Sequence, residues 1–93
     1  MESTQELLQR RYANRAVSRR KAEADAREAT RDGRRHGAAE ALSRATQDLG
    51  ACAEIVGIAR DLSIDLDDEA IAEHKRKIES ESEQAAQALG EEL

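Results

Sequence analysis

Between residues 38 and 59 small and apolar side chains return at alternating intervals of four and three, as Ala38, Leu42, Ala45, Leu49, Cys52, Val56 and Ala59, while Ile55, Ile58 and Leu62 widen the stripe toward its end. A helix gathers such positions on one side, whereas a strand would scatter them over both faces. The pattern therefore makes the middle third of the chain a helix with a face that must be covered. Nothing elsewhere opposes the same reading, because the chain lacks proline and is dominated by Ala, Glu, Arg, Gln and Leu, all good helix formers.

An earlier stripe, Leu8, Tyr12, Arg15, Arg19, Ala22, Ala26, Ala29 and Gly33, has the same spacing. Ser3 with Glu6 three residues later has the form of a capping box, which predicts a first helix over about 3–32. The two stripes are out of register: stepping by sevens from Leu8 arrives at His36, but the second stripe starts at Ala38, and Gly33 and Gly37 bracket the mismatch. A turn at 33–37 accounts for both facts and places the second helix over about 38–62. After Leu62 the run SIDLDDEA brings Asp65, Asp67, Asp68 and Glu69 together, suited to capping and to the positive end of a helix dipole. The third helix is expected over about 67–90, with Ile71, His74, Ile78, Ser82, Ala85 and Leu89 as its stripe and Gly90 as its stop. Short connections between helices of similar length imply a single all-α domain spanning 1–93, an up-down-up bundle or a helical hairpin.

Such a bundle has little to bury. Eighteen of the 93 residues are Ala, and the large apolar ones number seventeen: eight Leu, five Ile, two Val, Met1 and Tyr12. A second copy or a protein partner is expected to complete the burial, through a seam of Leu8, Tyr12, Ala22 and Ala26 on the first helix and Leu42, Leu49, Cys52 and Val56 on the second. Gly50 and Gly57, seven apart, mark a place where another helix would approach closely. Arg15 and Arg19 fall on the first stripe, where an unpaired charge is costly. The reading preferred from the sequence is that this part of the helix is peripheral and the two stems snorkel to water; contact with an acidic partner is the alternative.

Charge divides the chain. Residues 10–35 hold ten bases, nine of them Arg; residues 1–36 sum to +4 (ten bases, six acids) and residues 37–93 to −9 (five bases, fourteen acids). Within the first helix NRAVSRRK resembles the basic region of the leucine-zipper transcription factors. That pattern has a small residue and a constant Arg where this chain has Lys21 and Ala22, and no leucine zipper follows, so membership is not adopted. A basic ridge of Arg20, Arg27, Arg31, Arg34 and Arg35 nevertheless covers about a third of the helix circumference, and phosphate contact requires little more. Tyr12 is the sole aromatic residue, which argues against stacking on single strands. In an up-down-up bundle the first and third helices run parallel, so the ridge is expected to face Asp68, Glu69, Glu73, Glu79 and Glu83 of the same molecule or of a neighbouring copy.

Signals for chemistry are sparse. Arg31 to His36, RDGRRH, has the R-x4-H spacing of the helical HEPN ribonucleases, but a glycine break divides it, and His36 reads as a turn residue. His74 has Ile78 where a helical metal pair would place a second ligand, and the acidic run lacks the central Gly and terminal Glu of a calcium loop. One cysteine, Cys52, offers neither a disulfide nor a zinc site. No catalytic residue, metal, cofactor or small-molecule substrate is expected. The absence of an apolar span or secretory leader makes cytoplasm the expected location. These features together predict a non-catalytic helical module for protein–protein interaction or self-assembly; the alternative is a nucleic-acid-binding accessory protein that uses the basic first helix.

Overall fold

The computed structural model describes the backbone of residues 1–92 and the side chains of residues 1–90, and comprises three helices, α1 (Thr4–Arg31), α2 (Arg35–Asp61) and α3 (Asp68–Glu92), with no strand among the described residues. α1 starts where the Ser3 hydroxyl accepts the Glu6 amide at 3.1 Å. It closes in a Schellman turn, with the Arg34 amide donating to the Ala29 carbonyl at 2.8 Å, the Gly33 amide to Thr30 at 3.2 Å, and Gly33 at φ 75°. One left-handed residue suffices to reverse the chain, so α2 begins at Arg35 rather than at the predicted Ala38. Gly37 lies inside the first turn of α2, where a Cβ would stand 3.7 Å from that of Ala29.

The end of α2 repeats the device with a less suitable residue. The Ile64 amide donates to the Ala59 carbonyl at 2.8 Å and the Ser63 amide to Arg60 at 3.1 Å, while Ser63 takes the left-handed conformation at φ 55°. Asp67 then caps α3, its carboxylate accepting the Glu69 amide at 3.0 Å. Its own amide is held by the side-chain carbonyl of buried Gln9 at 2.8 Å, and Gln5 donates to the Asp65 carbonyl at 2.7 Å. The α2–α3 connection is thus tied to the first turns of α1. α3 continues through Gly90, which does not stop it, to Glu92.

α2 runs antiparallel to α1 and α3 runs parallel to it. α1 packs against both, but among the described residues α2 and α3 do not pack on each other. The result is the expected all-α, up-down-up arrangement of helices, open on the side where α2 and α3 do not touch and measuring 45 × 32 × 18 Å between Cα atoms. Its core sits at the open end of the hairpin, where Leu8, Ile55 and Ala59 are buried and Tyr12, Ile64 and Leu66 pack around them. Toward the α1–α2 turn the interface narrows to small residues, Ala22, Ala26 and Ala29 on α1 and Ala41 and Ala45 on α2. No helix among the described residues is long and apolar enough to cross a membrane.

Candidate interaction surface

α2 carries two adjacent stripes. The one buried against α1 is Ala41, Ala45, Asp48, Cys52, Ile55 and Ala59, stepping by four and three. The sequence stripe shares Ala45, Cys52 and Ala59 with it but differs at every other step. Leu42, Leu49 and Val56, expected to pack within the same seam as Cys52, stand outside it with 56%, 47% and 38% of their surface exposed. The physical cause is the Ala-lined face of α1, which draws the helices close and leaves room for Ala41 and Asp48 rather than for leucine. Displaced outward, Leu42, Thr46, Leu49, Ala53 and Val56 form a second line at the same helical spacing, which carries no charge until Arg60. Gly50 and Gly57 flank this line, and no helix of the chain approaches either: a Cβ at those positions would meet nothing within 4 Å.

The other seam residues divide similarly. Leu8, Ala22, Ala26 and Cys52 are buried inside the chain, and Tyr12 is half-buried. Tyr12, Ala16, Arg19 and Glu23 of α1 floor an open groove with Leu49 of α2 on one wall and Lys75 of α3 on the other. Toward the turn it continues past Ala26, Arg27 and Thr30 to Leu42. The groove exists because α3 docks on the Gln9 and Arg20 side of α1, too far round the helix to reach α2.

Arg15 reaches a partner that the sequence reading missed, Asp48 of α2, at 3.1 Å. Asp48 is buried, and its position at a step of the inner stripe is the only sequence signal for it. The start of α1 is not peripheral, because Leu8, Gln9 and Ala13 are all buried there. Arg19 lies along the groove and pairs with Glu23 at 2.8 Å. Cys52 is buried between the helices with its thiol 3.9 Å from the Tyr12 carbonyl; burial pushes its pKa up, and the neighbouring Asp48 carboxylate adds to the effect.

Among the described side chains Arg20 is the one ridge arginine that pairs with α3, at 3.0 Å from Glu79. Arg27 turns to Glu23 at 4.0 Å, Arg34 to Asp32 at 3.3 Å, and Arg31 and Arg35 have no ion pair among the described residues. Register explains why Arg27 finds no acid on α3. Partners on α1 and α3 differ by 59 to 61 in residue number, which sets Arg27 level with the uncharged residues Ala86, Gln87 and Ala88 and leaves Asp68, Glu69 and Glu73 near the far end of α1; Arg31 falls level with residues 90–92, of which the side chains of 91 and 92 lie outside those described. His36 is exposed and lies 3.0 Å from Glu40. Among the described residues no three His, Cys, Asp or Glu side chains gather where a metal ion could be held.

Comparison of the chain with protein-family models, curated proteins and solved structures finds no match.

Proposed function

We propose that this protein is a non-catalytic helical interaction module whose binding surface is the outer stripe of α2 together with the groove beside it. The observation that carries the reading is the uncharged line through Leu42, Leu49 and Val56, which keeps regular helical spacing yet lies outside the buried α1–α2 seam and stays exposed. Three large apolar side chains aligned in this way favour a packed helix over water, and the open glycine positions beside them allow a helix to come near. A photoreactive amino acid replacing Leu49 should cross-link efficiently to a protein in the cells that make this chain. The same residue replacing Glu54, on the far side of α2, should not. Equal yields from the two positions would contradict the reading.

A second reading, an accessory protein that binds a nucleic-acid backbone, is favoured by one observation: Arg31 and Arg35 are exposed near the α1–α2 turn. It requires retention of duplex DNA or RNA that weakens steeply with salt and is lost when Arg27 and Arg31 become Glu. Absence of retention at low salt would remove it.

A further inference from the structure

The groove and the distal half of α3 have complementary properties. Arg19, Arg20, Arg27 and Lys75 line the groove, while Glu23 is its one carboxylate. Arg20 is neutralised by Glu79 and Glu23 is shared by Arg19 and Arg27, so the groove keeps two positive charges in excess beside an apolar wall. The end of α3 is the reverse: residues 78–92 contain five Glu and neither Lys nor Arg. From Glu83 through Gly90 every residue is exposed, although Ile78, Ser82, Ala85 and Leu89 prolong the stripe that begins at buried Ile71. Leu89 is 63% exposed, and neither Glu81 nor Glu83 has an ion pair among the described residues. At 1.5 Å per residue the eight residues 83–90 form roughly 12 Å of Ala-rich helix, with Glu83 as its one charge, that its own chain leaves exposed.

We propose that the groove between α2 and α3 is occupied by the distal half of α3 from a second copy of this chain, in a reciprocal two-fold dimer. Resting on the interaction-module reading, this names the partner. Leu89 and Ala85 of one copy pack against the outer stripe of α2 in the other, and Glu81, on the same side of the helix, faces the surplus cations. Each copy supplies one groove and one helix end, so the arrangement closes at two copies. It also joins the two large exposed surfaces of the molecule in one contact and brings the halves of opposite charge together between chains.

Sedimentation equilibrium on the full chain tests this directly. The wild type should have twice the mass of the 10.2 kDa chain at micromolar concentration and dissociate as salt rises. Leu49→Glu in the groove and Leu89→Glu on the helix end should each yield monomers with unchanged helical circular dichroism, since both side chains are exposed. Mixing the two variants should restore association, because one intact groove then meets one intact helix end. A wild type that stays monomeric at all concentrations overturns the dimer, while cross-linking from position 49 still judges the module reading separately. A dimer indifferent to Leu89→Glu, or variants that do not complement on mixing, would also overturn it, the former pointing to a contact between α2 helices alone.

Discussion

Arg15 and Asp48 meet at 3.1 Å across the α1–α2 interface with unequal exposure, 55% of the arginine side chain remaining accessible but only 5% of the aspartate. The asymmetry makes the two deletions unequal. Without Arg15 a carboxylate is left buried and unpaired; without Asp48 the guanidinium turns into water. Arg15→Met should therefore cost about 1–3 kcal/mol, whereas Asp48→Ala, which places a good helix former on an Ala-lined face, should fall within about 1 kcal/mol of the wild type. Urea denaturation at one fixed protein concentration would measure both, and Asp48→Ala as the costlier change would refute this account of the pair.

Local chemistry made three helix ends legible in the sequence, the start and end of α1 and the start of α3, but not the start of α2 at Arg35 or the passage of α3 through Gly90. Ser3 before Glu6, Gly33 at a stripe mismatch and Asp67 in an acidic run each act within a few residues, and each does so in the structure. Long-range choices were not legible. α2 offers two adjacent stripes, and which one turns inward depends on the small side chains of α1 and on the need of Arg15 for Asp48. The same limit applies to the arginine ridge: parallel helices were foreseeable, but their register, which sets Arg20 beside Glu79 and Arg27 beside the uncharged Ala86 to Ala88, was not. Asp48 carried no local signal beyond its spacing.

The two Schellman turns differ in a way that stability measurements can read. Gly33 occupies its left-handed position without a side chain, but Ser63 bears the steric cost of a Cβ there. Ser63→Gly should raise stability by up to about 1 kcal/mol, the relieved strain exceeding the entropy that glycine adds to the unfolded chain. Gly33→Ala should lower it by about 1 kcal/mol or more. Thermal melts of the two variants should shift in opposite directions.

Cys52 is buried with a raised pKa, caused first by desolvation and then by the Asp48 carboxylate. Both causes disfavour the thiolate, the reactive form. Labelling by a thiol reagent at neutral pH should be far slower in the folded chain than in denaturant, where it should reach the rate of a free cysteine. Fast labelling of the folded chain would show that the α1–α2 interface opens readily.

At the start of α1 the side-chain hydrogen bond from Arg10 to Glu2, 2.9 Å in length, holds the Glu2 carboxyl below the usual range for glutamate. A carboxylate whose pKa is lowered on folding contributes stability above its unfolded value and loses it as pH falls through the folded value. The contribution is small, because the pair is exposed and screened by salt. An NMR titration of Glu2 should give a midpoint below that of an unstructured glutamate, with the difference shrinking at high salt and vanishing in Arg10→Gln.

The central claim is that the outer stripe of α2 is covered when the protein works. Hydroxyl-radical footprinting of Leu42, Leu49 and Val56, performed in intact cells and on the dilute purified chain, tests it without assuming which molecule supplies the cover. The account predicts that all three are strongly protected in cells and readily oxidised in dilute solution, where their side chains face water. Equal oxidation in both settings would contradict it.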